Sequence, residues 1–329
     1  MTDDFSACQR ELLALQQGVL TRRQALAAGL TDKAIAGRLD GGRWQRLHTG
    51  VYATFSGQVP RSAALWAAVL RAGPRAMLSH QTAAELHGLL DTVAPVIHVT
   101  VPSGSPVARP RGVLLHYSHR LEAARHPTLL PPRTRVEDCL LDMAEKAGRA
   151  DEAIGLVLSA CAKRRTTPER IYAATRQRRR LRWRAEIAQA LGAAREGAHS
   201  LLEFRYGTRV EQPHDLPRGA RQRLVLRGRR HEYQDIRYEE YDVVVELDGH
   251  GAHPPQARWR DIRRDNLNAA HGLITLRLGF VDVSEHPCAS AALVGGVLRS
   301  RGWEGTLRRC GRYCQPPVDN PQPFASWPR

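Results

Sequence analysis

The fold of the N-terminal region is decided by the stretch LTRRQALAAGLTDKAIAGRLDGGRWQRLHTGVY, residues 20–52. Thr21 and Thr31 both stand where a hydroxyl group can cap the first turn of a helix. Gly29 lies between them, where a helix commonly ends in glycine. Two short helices joined by such a turn form a helix-turn-helix, whose second helix enters the major groove of DNA. The predicted elements are a first helix over 11–19, the capped helices over 22–28 and 32–39, and a hairpin, the wing, with strands over 44–47 and 50–54.

Several short motifs in this region are those of a known family: Leu20-Thr21, Ala28-Gly29-Leu30, Leu39, Trp44, and the run from Leu47 to Tyr52. The region resembles the N-terminal winged helix of AbiEi-type antitoxins from type IV toxin–antitoxin systems. Regulators of this family bind operator DNA, so the resemblance implies double-stranded DNA as a partner and makes a cognate toxin a candidate partner. It implies DNA contacts for Lys33, Arg38, Arg43 and Arg46. The alternative is a tri-helical interaction module whose arginines only face water.

The chain carries a large excess of positive charge, with 49 Lys plus Arg against 33 Asp plus Glu and a net charge of +16. Such an excess favours polyanionic partners, because each contacted phosphate releases condensed counterions. The codon bias of a GC-rich genome explains why arginine outnumbers lysine, but it does not explain the shortage of acids. The densest positive run is RQRRRLRWR, residues 176–184, where Arg178, Arg179 and Arg180 are candidate contacts to a DNA backbone and Trp183 is available for stacking. The alternative is a solvated helix face.

The middle of the chain predicts a mixed α/β region followed by helices. Helices are expected over 63–71, from Ser79 to 86, over 134–147 and 151–161, and from Thr167, with strands over 96–101 and 113–117. The α/β part resembles the middle part of the same antitoxin group. It contains four histidines, His80, His87, His98 and His116, whose spacing matches no metal-ligand pattern, so we expect structural or surface roles for them.

The C-terminal third predicts the order helix, three strands, helix, strand, helix. Asp235 and Glu246 flank the turn at 239–240, which places them opposite or nearly opposite in an antiparallel pair, with Cβ atoms about 5–8 Å apart. Two such acids repel each other unless a cation lies between them, and oxygen ligands suit Mg²⁺. Glu203 lies three residues after Ser200 on the preceding helix, as in a capping box. The alternative is that Asp235 pairs with Arg237 or Arg229 and Glu246 with Arg277.

The motifs of this third are Asp235, the strand 243–246, Glu246-Leu247-Asp248-Gly249, His253, Asp261, Arg264, Gly272 and Leu276-Arg277. They resemble the Vsr-like (very short patch repair) endonuclease-related family of the PD-(D/E)XK superfamily. The resemblance implies Mg²⁺- or Mn²⁺-dependent hydrolysis of DNA phosphodiesters, in defence or repair, with Asp235 and Glu246 as metal ligands. Asp248, where the wider superfamily has lysine, would be a ligand or orient water. The further implied roles are charge stabilisation by Arg264, general base catalysis by His253, and a water-mediated metal contact by Glu203.

The six cysteines do not form a disulfide scaffold in a chain of this length. Cys288, Cys310 and Cys314 could hold zinc together with His286, but their spacing is irregular, so we favour plain reduced cysteines and no structural Zn²⁺. Neither a secretory signal nor an apolar stretch of about 20 residues is visible. The sequence therefore predicts a cytoplasmic protein without a membrane partner.

Together these patterns predict an α/β multidomain protein. Its expected parts are a winged helix-turn-helix (1–57), an antitoxin-like α/β region (58–133), a helical basic connector (134–196), a restriction-endonuclease-like αβββαβα core (197–314) and a disordered tail (315–329). The leading functional prediction is a DNA-binding protein with a Vsr-like nuclease domain. The alternative is a non-catalytic AbiEi-type antitoxin and transcriptional regulator that binds operator DNA through the winged helix.

Overall fold

The computed structural model describes residues 5–227, 230–248, 255–312 and 314. The chain divides into two compact units, Met1–Leu156 with Lys163–Arg184, and Val157–Ala162 with Ala185–Arg329. The described residues form fourteen α-helices and three sheets, so the predicted mixed α/β class is confirmed. No described helix combines the length and the apolar character that crossing a membrane requires. The predicted disordered tail and His253 lie outside the described residues, and the cytoplasmic location stays a prediction.

The first unit opens with three helices and a small antiparallel sheet in the order β1-β3-β2, the arrangement of a winged helix. The hydroxyl groups of Thr21 and Thr31 accept hydrogen bonds from the backbone N–H groups of Gln24 and Ala34, both at 3.1 Å, which confirms both predicted caps. The elements are α1 (Ala7–Leu15), β1 (Val19–Thr21), α2 (Arg22–Ala27), α3 (Asp32–Asp40), β2 (Gln45–His48) and β3 (Val51–Ala53).

The first helix lies four residues earlier than predicted. Ser6 caps it, and Gln17 and Gly18, with φ of 54° and 74°, end it in the left-handed region. Val19, predicted to be the last helical residue, instead begins β1 and lies opposite Ala53 of β3. A strand of three residues is too short to show the alternation that identifies strands in a sequence.

The remainder of the first unit packs helices against a second sheet in the order β4-β5-β6, in which β5 and β6 are parallel. Its core includes Leu65, Leu78, Val99 and Val113. Segments 5–57 and 58–133, treated separately in the sequence, therefore belong to one compact unit. The elements are α4 (Arg61–Ala72), β4 (Met77–Leu78), α5 (His80–Leu86), β5 (Ile97–Pro102), β6 (Val113–Ser118), α6 (Leu121–Ala124), α7 (Val136–Lys146), α8 (Ala150–Ala162, which ends in the second unit) and α9 (Pro168–Arg176).

The second unit is built on a four-stranded sheet in the order β10-β9-β8-β7. The strands β7, β8 and β9 are antiparallel neighbours, whereas β9 and β10 are parallel and α12 connects them. The predicted order of helix, three strands, helix, strand and helix is present, with one short helix, α13, that the sequence did not predict. A further helix, α10, precedes this series in the segment predicted to be helical. The elements are α10 (Arg184–Arg195), α11 (Leu201–Arg205), a π-helical turn (Tyr206–Glu211), β7 (Ala220–Arg227), β8 (Arg230–Tyr238), β9 (Val243–Asp248), α12 (Pro255–Ala270), β10 (Ile274–Gly279), α13 (Phe280–Ser284) and α14 (Pro287–Ser300).

Candidate functional site

The winged helix contains four basic side chains predicted to contact DNA, and three of them are exposed: Lys33 on α3, Arg43 after it, and Arg46 on β2. Arg38 differs, because it is only partly exposed. Its guanidinium lies 5.6 Å from the centre of the Trp44 ring, and its Nη1 donates a hydrogen bond to the carbonyl of Ala34 at 3.0 Å. Arg38 therefore helps to hold α3 in place, while the other three side chains extend into solvent.

An apolar core beneath α3 and an ion pair at its N-terminal end fix the orientation of this helix. Ile35 and Trp44 are buried, and the Trp44 ring lies 6.2 Å from that of Tyr52 on β3. Arg22 on α2 donates to Asp32 on α3 at 2.8 Å. Gly37 lies on the exposed side of α3, where an added Cβ would meet no heavy atom within 4 Å. The outward face of α3 is thus flat at its middle and permits close approach of another molecule.

The basic run 176–184 is only partly exposed, and one of its three candidate DNA contacts lies in the interior of the protein. Arg178 is buried, and its guanidinium pairs with Asp138 at 3.2 Å and Asp142 at 2.8 Å on α7. Arg178 is therefore a structural residue and is not available to DNA, whereas Arg179 and Arg180 are exposed. The sequence missed this role because the two acids lie about forty residues earlier in the chain.

Trp183 is also engaged within the protein. Its Nε1 donates to the carbonyl of Ala147 at 3.3 Å, and the guanidinium of Arg182 lies 4.5 Å from its ring. Its φ of 60° is left-handed, so α9 and α10 do not join into one helix. The alternative interpretation of the run 176–184, a solvated helix face, is therefore wrong.

In the second unit, Asp235 and Glu246 meet at the end of the β8–β9 ladder. Ile236 pairs with Val245, so Asp235 and Glu246 hold the next opposed positions. Asp235 accepts hydrogen bonds from the Leu247 backbone N–H at 2.8 Å and from Gln222 Nε2 at 3.4 Å. Glu246 is buried, and its Oε1 has no hydrogen-bond partner among the described residues. The two acids that the sequence singled out are thus neighbours at one edge of the sheet.

The electrostatics of this pair reflect burial and mutual repulsion. Burial and, secondarily, the charge of Asp235 raise the pKa of Glu246 from 4.5 to about 7. Burial likewise raises the pKa of Asp235 above its ordinary value. Among the described side chains, Arg264 on α12 forms an ion pair with Glu246, with Nη1 at 3.6 Å from Oε2. A carboxyl group with such a pKa stays partly protonated near neutral pH unless a cation approaches it.

Glu203 belongs to the same acidic group, although its local role differs from the predicted one. The side chain of Ser200 caps α11 by accepting from the Glu203 N–H at 3.2 Å. The carboxylate of Glu203 accepts from the His199 N–H at 3.1 Å instead of the Ser200 N–H, so only half of the capping box forms. Burial raises the pKa of Glu203, and the charge of Asp235 adds to that rise.

Asp248 does not join this group. Arg277 Nη1 lies 3.2 Å from both of its carboxylate oxygens, and the same guanidinium binds Asp265 at 2.8 and 3.0 Å. Asp248 is therefore neutralised by its own arginine, which argues against its predicted place as a ligand of the ion shared by the other two acids. Two of the ion pairs proposed as an alternative do not form, because Arg277 pairs with Asp248 and Asp265, and Arg237 pairs with Asp242 at 2.7 Å. The third, between Asp235 and Arg229, involves a residue outside the described part of the chain.

Two clusters that the sequence did not assemble contain possible metal ligands. Among the described residues, one cluster consists of His80, His98 and His116, and the other of His214, Cys288, Cys310 and Cys314. Within each cluster, every residue contributes one ligand atom, and these atoms all lie within 4.8 Å of one another. The rings of His80 and His116 stack at 3.6 Å, and burial lowers the pKa of both to about 3. Only the register of β5 and β6 brings His98 and His116 together, so no spacing in the sequence could have identified this cluster.

A comparison with protein-family models identifies one segment of the chain. Residues 9–54 match the AbiEi_4 model, described as a transcriptional regulator, AbiEi antitoxin. The N-terminal module is similar to AbiEi antitoxin regulators. The predicted resemblance is thereby confirmed for this segment, which contains Lys33, Arg43 and Arg46. A search of curated proteins found no match to the chain. The resemblances suggested for the middle region and for the C-terminal third lie outside the matched residues and stay predictions.

Proposed function

We propose that this protein is a DNA-binding transcriptional regulator of the antitoxin type, which uses its winged helix to bind operator DNA. One observation carries the proposal. The segment that matches the AbiEi regulator model, residues 9–54, coincides with a winged helix that exposes Lys33, Arg43 and Arg46. A cognate toxin is the second partner that this family suggests. The non-catalytic alternative stated from the sequence is thus better supported than the nuclease.

The proposed binding mode follows from the positions of these side chains. In helix-turn-helix proteins the second helix lies in the major groove, with its N-terminal residues toward the bases. Lys33 is in the first turn of α3, and Arg43 and Arg46 follow on the loop and wing strand. Arginine and lysine side chains at such positions bind phosphates and fix the register of the protein on the duplex. The absence of a side chain at Gly37 lets the helix backbone approach the groove.

Binding should be measured by fluorescence anisotropy on a duplex that carries the DNA upstream of the protein's own gene. Each lost phosphate contact should reduce the slope of log K against log salt concentration by about 0.9, so the double variant Arg43→Ala/Arg46→Ala should lose nearly two. Arg111→Ala, which removes another exposed arginine of the first unit, is the matched control and should leave the slope unchanged. Unaltered affinity and slope in the double variant would remove the winged helix as the DNA-binding element.

We propose a second candidate function, divalent-metal-dependent phosphodiester hydrolysis, because of one specific observation at β9. The buried Glu246 Oε1 has no partner among the described residues and lies beside a second, partly buried acid, Asp235. Hard carboxylate oxygens suit Mg²⁺ or Mn²⁺, so Asp235 and Glu246 would hold the ion and Glu203 would reach it through water. Such an ion, when bound, lowers the pKa of a water molecule and polarises a phosphodiester. Arg264 then remains available to neutralise charge on the phosphate.

A plasmid-nicking assay with Mg²⁺ or Mn²⁺ tests this second function separately from operator binding. The wild-type protein should nick, Glu246→Gln should not, and both should bind operator DNA equally. The exposed acid Glu239 provides the matched control, and Glu239→Gln should nick like the wild type. A wild-type protein that leaves plasmid intact with both ions, or equal nicking by Glu246→Gln, would leave the regulator as the remaining function.

A further inference from the structure

A group of four possible metal ligands lies in the second unit and shares no residue with the acidic pair. His214 ends the turn that follows α11, Cys288 is in the first turn of α14, and Cys310 and Cys314 lie in the stretch after α14. Each contributes one ligand atom, and the four atoms all lie within 4.8 Å of one another. Three separate segments of the chain therefore converge on one point.

Two distances within this group are close to those of a tetrahedral zinc site. Zn–S bonds of about 2.3 Å and Zn–N bonds of about 2.0 Å in a tetrahedron place two sulfurs about 3.8 Å apart and a sulfur and a nitrogen about 3.5 Å apart. The Sγ atoms of Cys288 and Cys310 are 3.5 Å apart, and Cys314 Sγ lies 3.6 Å from His214 Nε2. A disulfide needs sulfurs about 2.05 Å apart and would leave the third thiol and the histidine unused.

The histidine is oriented as a metal ligand should be. His214 is fully buried, and its Nδ1 lies 2.9 Å from the carbonyl oxygen of Val210. A carbonyl oxygen only accepts hydrogen bonds, so Nδ1 must carry the proton and Nε2 presents its lone pair to Cys314. A backbone carbonyl that fixes the tautomer in this way is the usual support behind a ligating histidine.

The segment after α14 gives such a site a structural purpose. Residues 303–310 form neither helix nor strand, and the Arg308 N–H donates to the His214 carbonyl at 3.0 Å. Leu307 packs on Gly295 of α14, where an added Cβ would lie only 3.0 Å from its methyl groups. A segment held by so few backbone bonds gains most from a cross-link to the rest of the unit.

We propose that His214, Cys288, Cys310 and Cys314 bind one zinc ion that ties the segment after α14 to the turn after α11. Four protein ligands leave no open position, so the ion is structural and takes no part in hydrolysis. The irregular spacing of these residues in the sequence favoured unbound, reduced cysteines, and the histidine considered with them there, His286, is not in the group. The proposal stands independently of both proposed functions.

Metal analysis of the full chain, purified under reducing conditions from zinc-supplemented cells, tests this site. The wild type should contain about one zinc per chain, and Cys310→Ser less than about a tenth of that. Cys310 is exposed, so the variant should fold, and Cys8→Ser removes another exposed cysteine as the matched control and should keep the metal. Equal zinc in Cys310→Ser and Cys8→Ser would overturn the proposal, as would a zinc-free wild type that binds no added Co²⁺.

Two further readouts distinguish a metal site from a thiol pair. Co²⁺ added to the zinc-depleted wild type should give the visible bands of tetrahedral coordination with a thiolate charge-transfer band, which Cys310→Ser lacks. A zinc chelator should lower the wild-type melting temperature by about 5 °C or more and leave that of Cys310→Ser unchanged. A Cys288–Cys310 disulfide in the protein isolated under native conditions, found by mass spectrometry, would show oxidation in place of metal binding and sink the proposal.

Discussion

Glu246→Gln should make the second unit more stable at pH 8. Burial and the nearby charge of Asp235 raise the pKa of Glu246 to about 7, so the folded protein binds this proton more tightly than the unfolded chain does. The stability that Glu246 contributes is therefore complete below pH 4.5, falls as pH rises from 4.5 to 7, and is lost above pH 7. Glutamine has nearly the same shape and no charge, so it escapes this cost.

The size of the effect follows from the two pKa values. The difference between 4.5 and about 7, at about 1.4 kcal/mol for each pKa unit, amounts to about 3 kcal/mol at pH 8. Glu246 is only 4% exposed, so little of this is screened by solvent. A free-energy difference of about 3 kcal/mol corresponds to roughly a hundredfold change in the population of the opened state.

Hydrogen exchange measured by mass spectrometry on peptides from β9 and β10 reports the opening of this unit by itself. At pH 8, and after correction for intrinsic exchange rates, these peptides should exchange roughly a hundredfold more slowly in Glu246→Gln than in the wild type, and the gap should close toward pH 4.5. Glu239→Gln serves as the control for loss of an exposed charge. Identical protection in the wild type and Glu246→Gln at pH 8 would refute the reasoning that a charged carboxylate is held there at a cost.

The same measurement with Mg²⁺ present separates a metal site from an ordinary buried acid. A cation between Asp235 and Glu246 favours their ionised forms. Protection of wild-type β9 at pH 8 should therefore rise with Mg²⁺ concentration, and that of Glu246→Gln should not. A wild type that is indifferent to the ion would leave the raised pKa as a structural feature alone.

Three further predictions concern the first unit. Gly37→Ala should raise the stability of the winged helix by about 0.5–1 kcal/mol in thermal denaturation, because the added Cβ would meet no other atom. The same substitution should weaken operator binding. Tighter binding would contradict the close approach of α3 to the DNA. The wild-type protein should lose stability as pH falls below 6.5, because His80, with a pKa of about 3, stays neutral while the unfolded chain takes up the proton. His80→Asn should make this loss smaller by about 1.4 kcal/mol per pH unit. An equally reduced loss in His119→Asn, at an exposed position, would assign the effect to general charge. Arg178→Ala should cost about 3–5 kcal/mol, because it removes the buried guanidinium that pairs with Asp138 and Asp142, whereas Arg179→Ala should cost less than about 0.5 kcal/mol. Equal costs would refute the structural role of the buried Arg178.

Local signals in the sequence predicted much of the fold. The caps at Thr21 and Thr31 act over three residues, and both helices begin where these threonines place them. The apolar run at 243–245 predicted the central strand β9 in the same way. The opposition of Asp235 and Glu246 could be anticipated because a short connection joins β8 and β9 and fixes their register.

Features that depend on distant parts of the chain could not be predicted. Arg178 looked like a surface residue because its partners, Asp138 and Asp142, come from another helix. His214 is separated from the three cysteines in the sequence by all four strands of the second unit, so no local spacing links them. The π-helical turn at Tyr206–Glu211 continues a pattern that a sequence cannot distinguish from an α-helix.

The wing of the winged helix packs against the rest of the first unit. One face of its sheet, through Val19 and Val51, packs against Ala63, Trp66 and Ala67 of α4. Deleting residues 1–57 would uncover Trp66 and expose an apolar surface that is prone to aggregation. Point substitutions are accordingly the cleaner way to silence DNA binding. The wing and α4 therefore share one apolar core, so a substitution that disturbs α4 would also disturb the wing.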